Sequence, residues 1–455
     1  MTVGPNSDYR AAADRVDTVL VSLYLLGLYL GVEVRLTPGT PVPMVLSGLA
    51  GGLLLLKHMH RLRETQVALL LLIVLLYLGA ILTAADPGHL GKRFTGLLQL
   101  SYGFIIGYGF FLTLMLFQPA ALARIFGWFC AALIAGCCAE VFLDPFRVLS
   151  DTVRGVIFDF GVYIADQRDL ELYGQIRPKL FTSEPSAVSF SFVLFAFCWY
   201  ALSTWRWKLI TYLGGFAAAF YLMRGPTLLL GLVLLAPYEL LLAPRRNTAG
   251  GPGYDFGRGM LAVGLTAVLT AGAIVIAGSL FAQRLAEIQS GTDPSFFSRV
   301  VAPYLTAVEV IRERPIAGIG LTSESLIDGM VNQIYAQSPA LVSQYSFTSA
   351  KYALTNYFWM HWIYNGAVWG LILLAAITIY VRSLGMPNLL FCWSVWAVLG
   401  QASGAYVSPK TWTVLYLACA ISVLQRRGLT RQRVSPWRDE AAPAVGSALR
   451  RGVPA

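Results

Sequence analysis

The stretch GQIRPKLFTSEPSAVSF, from Gly174 to Phe190, sets two cations, Arg177 and Lys179, and a carboxylate, Glu184, immediately before an apolar run. A carboxylate can abstract a proton while a neighbouring cation holds an anion, which suits displacement of a phosphate leaving group. A structural account is also open: Glu184, ahead of Pro185, can face the positive end of a helix dipole, with Arg177 and Lys179 reaching for headgroups. Arg224, in FYLMRGPT, stands at the end of one apolar run and the start of the next. The Gly225-Pro226 break would hold its guanidinium in place, and a guanidinium grips phosphate through two parallel hydrogen bonds at any working pH. Snorkelling is the simpler alternative, but arginine near a membrane core is costly, which favours function. Arg299 lies on an amphipathic pattern, where a basic residue also suits plain solvation. His361, in NYFWMHWIYNG, is a lone histidine among aromatics, fit for acid–base work or for packing. His58, His60 and His89 are scattered on short turns without a third ligand nearby, so no metal site is expected. Nothing resembles a Walker loop, a dinucleotide fingerprint or a nucleophile elbow.

The elements that must carry these groups are membrane helices. The chain has 455 residues, 56% hydrophobic and only 13% charged, with mean hydropathy +0.63. A soluble protein of this length needs more charge to cover its surface. Apolar runs of about 18–23 residues recur, the length that crosses a hydrocarbon core of roughly 30 Å. The composition therefore reads as an all-α, polytopic membrane protein of about twelve spans. Expected starts are Asp17, Val42, Gln66, Thr95, Ile125, Ser186, Leu209, Thr227, Gly259, Tyr357, Asn388 and Thr411. The first apolar run has no small-residue cleavage site and is read as a retained span. All six cysteines fall inside apolar runs and read as small buried hydrophobes.

Charge sets the orientation. KHMHRLR, WRWK, PRRNTAGGPGYDFGR and QRRGLTRQR are basic turns at alternate ends of the runs. All fall on the cytoplasmic side if both termini are cytoplasmic. The net charge of +10 belongs largely to these turns and does not point to nucleic acid. The organisation expected is spans 1–5 in 1–143, a long outer loop 144–185, spans 6–9 in 186–281, a second outer loop 282–352, spans 10–12 in 353–427, and a disordered cytoplasmic tail 428–455. The outer loops carry short amphipathic helices. Asp293 to Pro315 opens with an Asp-Pro start, places Val301, Leu305 and Val308 on one face, and suits a helix on the outer membrane surface.

The order of these pieces resembles the O-antigen polymerase and O-antigen ligase superfamily of bacterial inner-membrane glycosyltransferases. RPKLFTSEPSAVSF is similar to the family's arginine, aromatic and EPS segment before a span, and LMRGPT stands where the family has an arginine at a helix end. SRVVAPYLTAVEVIRERPIAGIGL is similar to an arginine, an amphipathic helix and then PxxGxG. TNYFWMHWIYNGAVWGLILL resembles His-Asn, nine residues, Gly and an apolar run, with Asn356 and Gly366 keeping the spacing. The likeness extends from about Gln175 to Leu374 together with the span layout.

The resemblance implies a donor with an undecaprenyl tail in the membrane, a diphosphate at the periplasmic surface and an oligosaccharide beyond. Arg177, Lys179, Arg224 and Arg299 would then bind the diphosphate, their clamp taking the part of a divalent cation, with no cofactor. Glu184, Arg224 and His361 are the catalytic candidates, and Asn356, Tyr357, Trp359 and Trp362 the acceptor and glycan candidates. The tryptophans and tyrosine equally suit an aromatic belt. The family's ligases have a histidine before the asparagine as base, whereas this chain has Thr355, which cannot act as a base at neutral pH. The departure favours a polymerase that extends one lipid-linked repeat unit onto another, with Glu184 as base. A ligase acting on a lipid A-core acceptor is the nearest alternative, and a flippase of an anionic lipid-linked sugar a more distant one. Expected partners are the lipid-linked oligosaccharide, the bilayer, and assembly proteins such as a flippase or chain-length regulator.

Overall fold

The structure, a computed structural model, describes residues 12–37, 40–158, 163–242, 264, 290–291, 293, 296–338, 349–403 and 405–434. Among them the chain is almost wholly helical. The helices are α1 (Arg15–Leu30), α2 (Val45–Lys57), α3 (Glu64–Thr83), α4 (Leu90–Leu114), α5 (Pro119–Phe142), α6 (Asp144–Ile157), α7 (Asp166–Tyr173), α8 (Pro185–Leu202), α9 (Lys208–Met223), α10 (Leu229–Val233), α11 (Leu235–Leu241), α12 (Ala302–Glu313), α13 (Asp328–Ala336), α14 (Ala350–Ala353), α15 (Tyr357–Ser383), α16 (Leu389–Gly400) and α17 (Pro409–Val434). One antiparallel hairpin, β1 (Val34–Thr37) with β2 (Thr40–Val42), joins α1 to α2.

Helices begin at or near the expected starts, except for the run near Gly259, which lies almost wholly outside the described residues. Five are both long and apolar enough to cross a membrane: α3, α4 with its preceding turn, α5, α8 and α15. Others are shorter, such as the 16 residues of α9 and the 12 of α16. At 1.5 Å per residue these cover about 18–24 Å, less than a straight crossing needs. The layout of about twelve spans is thus met in part. The expectation of a tail without structure from 428 needs correcting, because α17 continues to Val434; the residues beyond lie outside the described ones.

Local chemistry explains several ends. Asp14 and Asp17 form a reciprocal capping box at the start of α1, and Gly31 closes it in a left-handed conformation. Asn356 and Asn388 cap α15 and α16, and prolines stand in the first turn of α5 and α8. α1 packs on α2, α2 on α4, α4 on α17, α5 on α8, and α3 and α12 on α15. The central stretch of α8 is 83% buried, against 22% for α5 and 28% for α3. α8 is therefore an axis of the bundle and α5 an exposed apolar wall on its outside. Buried tyrosines find partners across the core, as polar groups in an apolar interior must: Tyr24 on Thr413 at 2.7 Å and Tyr380 on Tyr416 at 2.8 Å.

One helix is built in two parts. α15 is interrupted at Gly366 (φ 64°), and the segment Pro315–Gly320 enters the gap. Ile319 and Gly320 donate to the carbonyls of Ile363 and Tyr364 (3.0 and 2.9 Å), while Ala367 and Val368 donate to Pro315 (2.8 and 3.0 Å). A Cβ on Gly318 would lie 2.3 Å from the Ile363 oxygen, so the two glycines make the insertion possible. Arg93, fully buried on α4, holds the inserted loop through Ile319 O (2.9 Å) and Ser323 Oγ (3.2 Å). The Pro315–Gly320 segment, which carries the PxxGxG pattern, is thus a splice in an apolar helix long enough to cross a membrane.

Candidate functional site

The segment from Gly174 to Glu184 joins α7 to α8 and is clamped on every side. Leu180 and Phe181 both take positive φ (36° and 63°), a conformation that costs a non-glycine residue about 1–2 kcal/mol. Four partners hold it. Glu140, at the end of α5, accepts the backbone N–H of Lys179 (3.0 Å) and of Leu180 (2.6 Å). Tyr29 donates to Leu180 O at 2.5 Å, and Ser150 Oγ accepts Phe181 N–H at 3.1 Å. Arg154 donates to Thr182 O at 2.6 Å and to Ser183 O at 3.1 Å. Both Glu140 and Arg154 are buried; Glu140 serves backbone N–H groups, and Arg154 divides its donors between backbone carbonyls and Asp151.

This clamp fixes a cavity of about 170 Å³ at the head of α8, lined by Tyr163, Arg168, Arg177, Glu184, Pro185, Ser186, Gly225, Pro226, Thr227 and Arg299. Three guanidinium groups and one carboxylate converge from three separate segments: Arg168 from α7, Arg177 and Glu184 from the 174–184 segment, and Arg299 from the turn before α12. Arg177 is held by Asp169, with Nε at 2.9 Å and Nη2 at 2.8 Å, and lies over the Tyr173 ring at 4.4 Å. The Tyr163 hydroxyl donates to Asp169 at 2.6 Å and accepts from Arg177 Nη2 at 3.0 Å. Burial first, then the hydrogen bond to Asp169, push the Tyr163 phenol above its ordinary pKa, so it remains a neutral hydroxyl.

Glu184 occupies the residue before α8, but its carboxylate takes no backbone N–H of that helix. It is exposed and accepts the Ser186 hydroxyl. Glu184 thus stands at the N-cap of α8, where the helix dipole favours a carboxylate, without a side-chain cap bond, and it lines the cavity. Lys410, at the start of α17, lies 4.6 Å from the Phe190 ring centroid, close enough to Glu184 to feel its charge.

Arg299 is presented by an unusual turn. Phe297–Val301 is π-helical and runs directly into α12. Pro303 has no N–H to give the carbonyl four residues back, which is that of Arg299. Asn356 supplies a side-chain donor, its Nδ2 lying 2.8 Å from Arg299 O, while its Oδ1 caps α15 through Phe358 N and Trp359 N. The asparagine picked out by motif spacing is thus buried and positions Arg299.

Other expected site residues lie elsewhere. Lys179 is buried, 2.7 Å from Asp166 and 3.5 Å from Asp151. Arg224 does not line the cavity: it caps α9 at φ 44° and donates to Tyr173 O, which ties α7 to the wall formed by Gly225–Thr227. A Cβ on Gly225 would lie 2.4 Å from Ser189 Oγ, so glycine lets this wall press on α8 without moving that hydroxyl. His361 is buried away from the cavity, with Nδ1 2.7 Å from Tyr406 Oη and Nε2 3.0 Å from Gly370 O. Both ring nitrogens are occupied, and the ring serves as a packed core group. Tyr357 is buried with its hydroxyl on Trp396 O. Trp359 stacks edge-on with Tyr304, centroids 5.0 Å apart, and Trp362 packs against His361. Among the described residues no cluster of three His, Cys, Asp or Glu side chains could hold a metal.

Sequence reasoning missed Tyr163, Arg168, Asp169, Thr227, Glu140, Arg154 and Lys410. Glu140 and Arg154 carried one available signal: ionisable residues inside or beside an apolar run call for a partner. No family model, curated protein or solved structure matches the chain.

Proposed function

We propose that this cavity holds the diphosphate of a polyprenyl-linked glycan at the periplasmic face of a bacterial inner membrane, and that the protein polymerises lipid-linked repeat units. The observation that carries the reading is the convergence of Arg168, Arg177 and Arg299 with Glu184 on one cavity at the end of an apolar helical bundle. Guanidinium groups match phosphate oxygens in geometry and keep their charge when partly buried. In the proposed step a hydroxyl oxygen of the acceptor unit attacks the anomeric carbon of the donor glycan. The carbon–oxygen bond to the diphosphate breaks, its electron pair goes to the departing oxygen, and Glu184 takes the acceptor proton. Arg299 and Arg177 stabilise the charge that develops on the diphosphate. The motif likenesses, with Thr355 in place of histidine, support a polymerase over a ligase.

The test is incubation of purified protein in nanodiscs with lipid-linked repeat units, followed by gel separation of the glycans. The wild type is expected to give a ladder. Arg299→Ala is expected to slow it by roughly 10²–10³-fold, the loss typical when one stabilising donor is removed, and Glu184→Gln by roughly 10²–10⁴-fold, the contribution typical of a general base. A ladder unaffected by both changes refutes the site. Transfer only to a lipid A-core acceptor, or movement across the bilayer without a change in glycan length, refutes the polymerase.

A further inference from the structure

α6 turns its polar side inward. Ser150 and Arg154 are buried against the 179–184 segment, and Phe146 meets the Phe181 ring edge-on at 5.8 Å. The opposite arc carries Pro145, Val148, Leu149, Thr152 and Val156, one face at helical spacing. These residues are exposed, with Val148 at 62%, Leu149 at 51% and Val156 at 77%. In a helix bathed by water this arrangement is inverted.

We infer that α6 is an interfacial helix whose exposed arc is immersed in the acyl chains of the adjoining lipid leaflet. Two observations favour lipid over a protein occupant. The arc continues the exposed apolar wall of α5, a helix long and apolar enough to cross a membrane: α6 follows α5 after the single residue Leu143, and Phe142 and Leu143 are themselves 61% and 56% exposed. Its charges, Asp144, Arg147, Asp151 and Arg154, all lie on one flank, and all four join in i,i+3 ion pairs at 2.8 Å (Arg147–Asp144) and 2.5 Å (Arg154–Asp151). A helix lying in an interface needs this division, with the apolar arc down and the charged flank toward headgroups. The same helix supplies Ser150 and Arg154 to the clamp, so the bilayer surface itself helps to hold the strained segment that shapes the cavity. The inference concerns lipid contact and stands whether or not the cavity transfers glycans.

The experiment uses the full chain in nanodiscs of phosphatidylethanolamine and phosphatidylglycerol. Single cysteines at positions 148, 149 and 156, with position 144 as the contrast, are spin-labelled after Cys130 and Cys138 are replaced; the other four native cysteines are buried. Oxygen collisions are expected to exceed those of a water-soluble nickel chelate several-fold at 148, 149 and 156, with the order reversed at 144. A second measurement needs no substitution: wild-type protein is irradiated with a phospholipid carrying a diazirine high on its acyl chain, and the tryptic peptide Val148–Arg154 is expected to carry the lipid. Nickel-dominated collisions at 156 would place the arc in water. Low collision with both reagents would mean that protein covers it. Either outcome, or a wild-type peptide without lipid, overturns the inference.

Discussion

Replacing Asn356 by alanine removes three services at once. Arg299 O loses its donor, α15 loses its cap, and Gln401 Oε1 loses a hydrogen bond of 2.8 Å. An N-cap asparagine contributes about 1 kcal/mol, and loss of the donor to the partly buried Arg299 carbonyl costs about 1–3 kcal/mol. The expected destabilisation is therefore about 2–4 kcal/mol, a large part of the roughly 5–15 kcal/mol that holds a domain together. The account makes a sharper demand, because the carbonyl depends on Asn356 only through Pro303. Pro303→Ala restores an N–H four residues after Arg299 and lets the π-turn relax toward an ordinary helix. In the Asn356→Ala background it should recover about 1 kcal/mol or more; in the wild type it should recover none. The assay is unfolding in mixed micelles by a denaturing detergent, followed by far-ultraviolet circular dichroism, on all four members of the cycle. Effects that add to within about 0.5 kcal/mol would show that the two residues do not share the carbonyl. The same would follow if Asn356→Ala cost less than about 0.5 kcal/mol.

The clamp and the splice yield further expectations. Glu140→Ala leaves the N–H groups of Lys179 and Leu180 unpaired, at about 1–3 kcal/mol each, so it should destabilise by about 2–6 kcal/mol and release the 179–184 segment to rapid amide exchange. Protection unchanged across that segment would count against the clamp. Gly366→Ala puts a Cβ 2.7 Å from Gly318 N at a backbone φ of 64°. It should cost about 2 kcal/mol or more through strain and overpacking and speed exchange at Ala367 and Val368, while Gly214→Ala, whose Cβ meets nothing within 4 Å, should be neutral. Equal stability of the two variants would refute the insertion of Pro315–Gly320 into α15.

Much of the helical layout was legible in the chain. Apolar runs, proline at the first turn and asparagine before a run act within a few residues, so the starts of α8, α15 and α16 follow from local chemistry, whereas α5 begins at Pro119, six residues before the expected Ile125. The charged residues of the Gly174–Phe190 stretch were also visible as candidates, because an ion beside an apolar run always requires explanation. Their roles were not. Lys179 and Arg177 are two residues apart, yet one is buried among aspartates and the other lines the cavity beside Arg299, which is far away in sequence. That sorting depends on α6 and α7 folding back over the segment, and no local pattern specifies which carboxylate arrives there. The part of Asn356 was hidden for the same reason: its spacing to Gly366 can be read along the chain, but its bond to Arg299 exists only because α12 packs on α15. Periodicity and capping depend on neighbours within one turn. Partner choice among buried charges depends on which segments, distant in sequence, share a low-dielectric space where no ion can be left alone.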